Sequence, residues 1–444
     1  MDLSTDIAIL GGGWAGFSAA LEAGAKGHKV LLIQKAPGAS ALSSGALDLA
    51  DSPLRSPRDR LGEHQSVEKN IHEIVRREPF HPYTLLVERM GEDSFQAFLN
   101  RAVQQVFSAL PLSWTGSLKS NRLHPTSLGS LKPTAAVLNS MAEGDLLAMN
   151  QAKVLVVGLK GFAPMSSRFL KEFLLEVQSQ EPHHYLQFVG NTDVEVPGLE
   201  GKSSLSAYEI ANRLDQEDGF VRFGQSILNY TKGKVYSHLL LPPVMGIVNH
   251  ELIIMALRKI TGLKVAEVLA SPLSIPGHRI DQAMRHGLES KGIERMQGEV
   301  VGFDAEHNSV KSVYVHSGSH RAKIEAKAFV LATGKFIGGG ISDYPHFRET
   351  IFHLPVFDGE KEVKGMKASR LAANPFFSSQ GLFKVGLRTN TLLQPFGEEG
   401  ELVFSNVFAA GAVLGGFDAF RSRTGEGAAI ATGCYAGEMA SSLI

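Results

Sequence analysis

The sequence predicts an α/β fold: a Rossmann-like sheet with two dinucleotide-type units and a further α/β region inserted between them. Three stretches carry the prediction: residues 6–35, 328–334 and 406–427. The first reads strand, glycine turn, helix, strand. Ile7 to Leu10 is a short apolar strand, Gly11, Gly13 and Gly16 form G-x-G-x-x-G, and residues 17–25 are small and apolar enough for a packed helix closed by Gly27. Val30 to Ile33 is the second buried strand. Each glycine has a physical task. Gly11 permits the tight turn, Gly13 lets backbone approach a pyrophosphate, and Gly16 lets the helix press on the strand. The helix start then offers free N–H groups and a positive dipole end to phosphate.

The second strand should end in Asp or Glu to accept ribose hydroxyls. Here it ends in Gln34 and Lys35. Gln34 offers an uncharged amide to a ribose, and Lys35 offers a cation to a phosphate. An adenine dinucleotide, a mononucleotide flavin and a cofactor-free fold all stay open on these residues.

Composition bounds the rest. The chain has 444 residues, 43% hydrophobic and 20% charged, with a net charge of −1. That is ordinary for a globular protein of two or three domains and gives no broad polyanion-binding surface. The single cysteine, Cys434, excludes an intrachain disulfide framework, a cysteine zinc site and an iron–sulphur cluster within the chain. The N-terminus enters a strand at once, so no signal peptide is expected, and no apolar run is long enough for a transmembrane helix.

In chain order, residues 36–52 form a loop rich in small residues and hydroxyls, in which Ser40, Ser43, Ser44 and Gly45 offer donors and close backbone approach. Residues 53–70 read as a linker or frayed helix. His81, Pro82 and Tyr83 open a helical segment, with His81 as a helix-start residue. The region from about 150 to 270 reads as one inserted α/β unit, and its neighbouring His183 and His184 lack further ligands. A helix over residues 276–292, three short strands within 293–325, and an apolar strand 328–333 ending at Thr333-Gly334 make the second half-signature of two-dinucleotide flavoproteins. The last strand returns beside the first and brings Thr333 and Gly334 to the crevice at the carboxyl edge of the sheet. Val407 to Ala410 is a final strand turned by Gly411. Gly425 and Gly427 open the closing helix, whose start is expected beneath the flavin pyrimidine. Ala412 stands where an acid is expected, and Asp418 is a possible substitute.

Together, GGGWAG at the N-terminus, SSGALDL in the following loop, HPY at 81–83, PTSLG at 125–129, VVGLKGF at 156–162, LATGKFIGGG at 331–340 and NVFAAGAVLGGFD at 406–418 resemble, nearly end to end, the B-subunit family of anaerobic glycerol-3-phosphate dehydrogenase. After GGFD the family tends to a glycine run, whereas this chain has Arg421, Ser422 and Arg423. The resemblance implies a flavoprotein using FMN, with FAD the alternative. It also implies an FAD-bearing A subunit and an iron–sulphur C subunit that ties the pair to the membrane, so that the chain is cytoplasmic and peripheral through a partner. The implied activity is oxidation of sn-glycerol 3-phosphate to dihydroxyacetone phosphate with electrons passed to quinone.

That reaction needs a base for the hydroxyl proton and cations for the substrate phosphate. His278 and His353 are the candidate bases. Arg279 and Arg421 lead the phosphate candidates, ahead of Lys132, Arg388 and Arg423. The expected flavin contacts are Gly11, Gly13, Gly16, Gln34, Lys35, Ser43, Ser44, Gly45, Thr333, Gly334, Gly411, Gly425 and Gly427. The expected division gives residues 1–52, 271–345 and 396–444 to the flavin-binding domain, 53–270 to an inserted cap or partner region, and 346–395 to a cap segment. A stand-alone flavin oxidoreductase acting on another small acid and a cofactor-free scaffold protein of the same complex are the rival readings.

Overall fold

The computed structural model describes residues 2–51, 66–180, 185–375 and 378–444. His183, His184 and most of the expected linker lie outside the described residues. The first strand, Asp2–Leu10, pairs in parallel with Val30–Gln34 on one side and with His320–Leu331 on the other. Glu294–Gln297 extends this sheet in parallel beyond Val30–Gln34, and Val407–Ala409 joins in parallel beside the end of His320–Leu331. Glu299–Glu306 and Ser309–Ser317 complete the seven-stranded sheet as an antiparallel meander.

One sequence expectation is corrected here. Residues 321–325 and 328–333, read as two strands, form one continuous strand of 12 residues. Its first half pairs with the meander and its second half with Val407–Ala409. The residue pattern therefore changes midway, from half-exposed alternation to a fully buried run, although the backbone does not break.

The first helix, Trp14–Ala25, is buried from Trp14 to Ala23 because it is sandwiched between the sheet and the closing helix Gly425–Ser442. Small residues make this close crossing possible. A Cβ on Gly433 would land on the Ala15 carbonyl oxygen, and one on Gly437 on that of Ala19. Gly437→Leu should therefore wedge the two helices apart and lower stability by about 1–3 kcal/mol or more. An unchanged thermal midpoint would refute the close crossing.

The described residues hold two large cores. The main one takes in the seven-stranded sheet, both helices just described, and the helices Val67–Arg77, Pro82–Met90 and Glu92–Ala109. The second belongs to a four-stranded, all-parallel sheet ordered Leu186–Val194, Ala152–Leu159, His238–Leu241, Lys264–Glu267. Residues 53–270 thus divide, and the helices within 67–109 pack with the first sheet. Helix Ile275–Ser290 lies between, with residues in both cores.

Candidate functional site

The carboxyl ends of Asp2–Leu10, His320–Leu331 and Val407–Ala409 meet at one edge of the sheet. Gly11 follows the first strand with φ +117°, a conformation open to glycine. A Cβ on Gly16 would overlap the Gly11 carbonyl, so the helix rests directly on the turn. Thr333 and Gly334 follow the middle strand; Gly334 has φ +73°, and Thr333 Oγ1 is buried without a partner. Gly411, at φ +75°, follows the last strand and donates its N–H to Thr432 Oγ1 at 2.8 Å. Gly11, Gly12, Gly13, Thr333, Gly334, Gly425 and Glu426 are half-exposed at this edge, and Ala412 is exposed.

Two side chains stand over the glycine turn. The Gln34 carboxamide lies where a Gly12 side chain would be, and donates to Ala36 O at 3.0 Å. Ser40 Oγ accepts the Trp14 N–H at 3.0 Å and sits 3.1 Å from where a Gly13 Cβ would be. Bare backbone, a helix start without a side-chain cap from Gly13, and a hydroxyl at that start fit the phosphate end of a flavin nucleotide. Gln34 gives the ribose position an amide in place of a carboxylate.

Other expected contacts have structural duties. Lys35 is exposed and pairs on the surface with Glu299 at 2.7 Å. Ser43 is turned inward: its Oγ takes the Gly45 N–H and its carbonyl accepts from Ser274 Oγ at 2.6 Å. A Cβ on Gly45 would strike Met141. Ser44 Oγ receives Lys132 Nζ at 3.1 Å. Gly427 donates its N–H to Asp48 O at 3.0 Å. Asp418 accepts from the N–H groups of Phe420 and Arg421, so it caps a short helix.

The catalytic and phosphate candidates are dispersed. Arg279 is 2% exposed, and its guanidinium bonds both oxygens of Glu267, at 2.7 and 2.9 Å, and the Gly246 carbonyl, at 2.6 and 2.9 Å. A bidentate buried pair leaves it turned away from solvent and committed within the protein, contrary to the phosphate role expected from sequence. Arg421 is exposed on the short helix Ala419–Ser422. His278 is half-buried near the start of Ile275–Ser290, edge-on to Tyr208 at 5.3 Å. Burial pushes its imidazole below the ordinary value, with Asp281 pulling upward and Arg285 downward. His353 is exposed beside Phe303 of the meander. Arg388 lies over the Phe357 ring, and Arg423 ends the short helix with φ +50°.

His81 is a helix-start residue, as expected. Its Nδ1 accepts the Tyr83 N–H at 3.0 Å, which leaves Nε2–H to face Thr424 Oγ1 at 3.1 Å, and Pro82 opens the helix. Sequence reasoning missed Lys335, which directly follows Thr333-Gly334. Its Nζ donates to Phe383 O at 2.6 Å and lies 5.6 Å from the Phe417 ring. Burial pushes this amine down to about 7, against the opposing pull of Asp418. Its place after A-T-G was the available signal. Also missed were Asp48, whose Oδ2 lies 2.8 Å from Lys132 Nζ, and Glu426 at the head of the closing helix. An acid between the two glycines of G-E-G was the clue there.

The family model for the FAD binding domain matches residues 6–428. The chain belongs to the FAD binding domain family. Its fold is therefore the mixed α/β flavoprotein fold, as the sequence predicted. The B subunit of anaerobic glycerol-3-phosphate dehydrogenase from Vibrio cholerae serotype O1 is 26% identical, with 98% of this chain and 95% of that protein covered. The protein of the same name from Actinobacillus pleuropneumoniae serotype 5b is 27% identical, with 97% of each covered. These names are those of the family the sequence motifs resemble. Among solved structures, the open conformation of a flavocytochrome c3 fumarate reductase aligns with 99% of this chain and 78% of that one, at 12% identity and a TM-score of 0.46. No helix among the described residues is long and apolar enough to cross a membrane, and none of their His, Cys, Asp and Glu clusters is arranged to hold a metal ion.

Proposed function

We propose that this chain is the flavin-binding B subunit of a glycerol-3-phosphate dehydrogenase complex. In this reading it takes part in oxidising sn-glycerol 3-phosphate to dihydroxyacetone phosphate, with a quinone as final acceptor. The observation that carries the reading is similarity along the whole of both chains to relatives bearing that name, joined to a glycine-lined crevice at the sheet edge. The flavin, when bound, supplies the hydride acceptor. Gly11, Gly12, Gly13 and Ser40 hold its phosphate, and Thr333, Gly334 and the head of the closing helix line the remainder. FMN is the proposed species, because Gln34 lacks the charge that an adenosine ribose ordinarily meets. His278 is the leading proton acceptor, since its depressed value keeps it neutral at neutral pH. Arg421 and Lys335 supply positive charge for the substrate phosphate. An FAD-bearing A subunit and an iron–sulphur C subunit complete the complex and hold this cytoplasmic chain at the membrane.

The absorption spectrum of the purified chain, followed by chromatography of whatever heat releases, is the test. A flavin band with FMN released is the expected result. FAD released would show that an amide suffices at the ribose and would favour a stand-alone oxidoreductase. A colourless chain that binds neither flavin would replace this reading with the scaffold role. Two observations would then explain that outcome: Ser40 already occupies the Trp14 N–H, and Asp48 O the Gly427 N–H.

A further inference from the structure

The HPY motif opens the helix Pro82–Met90, yet its histidine also heads a buried hydrogen-bond chain that runs to the segment before the closing helix. His81 Nδ1 accepts the Tyr83 N–H at 3.0 Å. Burial, with Lys384 adding to it, pushes the imidazole down to about 3, so the ring is neutral and its one hydrogen is on Nε2. That N–H meets Thr424 Oγ1 at 3.1 Å. At the far end, the Ser422 hydroxyl donates to the Asp418 carbonyl at 2.9 Å. Its single hydrogen is thereby used, so across the 2.8 Å between the two hydroxyls Thr424 donates and Ser422 accepts. The chain therefore runs in one direction: His81, Thr424, Ser422, Asp418. None of the four is more than 4% exposed, so a broken link is not made good by bulk water.

The chain ends on the segment that bears Arg421. Asp418 Oδ1 accepts the N–H groups of Phe420 and Arg421 at 3.1 and 3.3 Å, so its position sets the short helix Ala419–Ser422. The Asp418 charge also acts on Lys335, the residue after Thr333-Gly334. A second route from His81 reaches that lysine. The Phe417 ring lies edge-on to His81 at 5.1 Å, and Lys335 Nζ lies 5.6 Å from the same ring. One buried imidazole thus supports two cations, one through hydrogen bonds and one through ring packing. Thr424 also departs from its ordinary local duty. A threonine just before a helix usually caps it, but this side chain makes no cap bond to the closing helix and is committed to the chain instead.

We propose that His81 is a positioning residue, which sets Arg421 and Lys335 so that both meet the substrate phosphate. This inference rests on the reading above, in which those two cations bind that phosphate. His81 is fully buried and acts only through Thr424 and Phe417. A phosphate is held alike before and during the chemistry, so a displaced cation should show in KM and leave kcat nearly unchanged.

Steady-state kinetics on the assembled complex test this, with denaturant midpoints and amide hydrogen exchange of the purified chain beside them. His81→Asn keeps an acceptor for the Tyr83 N–H but is too short to reach Thr424. It should raise KM for glycerol 3-phosphate about tenfold, with kcat within about twofold of the wild type. It should also speed amide exchange over residues 418–424. Ser422→Ala breaks the same chain away from the helix Pro82–Met90, and should do likewise even if His81→Asn folds poorly. Thr424→Ser keeps the hydroxyl and should restore the wild-type result in both readouts. A normal KM in His81→Asn and Ser422→Ala, with only the midpoint lowered, overturns the inference and leaves His81 a helix cap. Arg421→Ala combined with Lys335→Met separates the two readings. If that double variant raises KM while the chain variants do not, the positioning role fails alone. If it leaves KM unchanged, the phosphate reading fails and the positioning role fails with it.

Discussion

Acidification from about pH 7 to about pH 4 should destabilise the protein by several kcal/mol, with buried histidines setting the onset. Burial pushes His81 and His124 down to about 3, with Lys384 and Arg122 respectively adding to the effect. Burial, followed by Arg279, pushes His250 down to about 4, against Glu267 and Glu251. All three are neutral in the fold and would have an ordinary value of about 6.5 in the unfolded chain. Their contribution is therefore complete above about pH 6.5 and is lost as the pH falls toward the folded values, because protons bind the unfolded chain first. At pH 5 each costs about 2 kcal/mol, and the three together cost about 6 kcal/mol.

Two acids, the buried Glu349 and the partly buried Glu426, oppose this loss. Burial raises Glu349 and Glu426 to about 7, so their protonation favours the fold as the pH drops. Each returns about 2 kcal/mol by pH 5, but the gain ends near the unfolded value of about 4.5. Below that point the histidine loss continues without this offset. The steepest decline is thus expected between about pH 5 and about pH 3. The check is a series of denaturant midpoints against pH for the wild type, His81→Asn and His124→Gln. Each substitution should flatten the limb below pH 6.5. His81→Asn retains an acceptor for the Tyr83 N–H, so loss of the helix cap does not confuse the result. Equal slopes in all three proteins would remove histidine from the explanation. Two cores leave room for two transitions, which makes the midpoint the safer quantity.

What the sequence made legible was local. Gly11, Gly13 and Gly16 lie within one strand–turn–helix unit, so their spacing alone fixes what each backbone position must do. The closing helix was readable because Gly425 and Gly427 introduce a continuous small-residue run. The role of Gly433 and Gly437 was not readable, because it depends on the Ala15 and Ala19 carbonyls at the opposite end of the chain. Lys132 illustrates the same limit. Among hydroxyls and other cations in its loop it read as a substrate ligand, yet Asp48 is brought across by the pairing of Ala46–Leu47 with Ala136–Leu138. Long-range pairing decides which charges are spent inside the protein and which remain for a ligand. Charge type and neighbours in sequence do not contain that information.

Arg279 is where this distinction has the largest consequence. Glu267→Ala should destabilise the protein by about 3–5 kcal/mol, because it leaves a buried guanidinium without its counter-ion. The same substitution removes the acceptor of the Met245 N–H at 2.8 Å, on the loop whose Gly246 carbonyl also binds Arg279. Burial, the largest single influence, would raise the Glu267 carboxyl, but Arg279 together with the other hydrogen bonds the carboxylate accepts outweighs it and holds the group below its ordinary value. The pair therefore contributes fully above the unfolded carboxyl value of about 4.5 and is lost as the pH falls below it. Replacing both partners, as in Glu267→Met with Arg279→Met, should recover most of the loss, since a matched apolar pair avoids burying two charges. A denaturant series on the wild type, each single variant and the double variant measures this. A Glu267→Ala midpoint equal to that of the wild type would refute the structural role. The same proteins separate that role from the one the sequence suggested. If Arg279→Met left the midpoint unchanged but raised KM for glycerol 3-phosphate in the assembled complex, Arg279 would return to the substrate phosphate. If it lowered the midpoint and left KM unchanged, the positive charge for that phosphate must come from other residues.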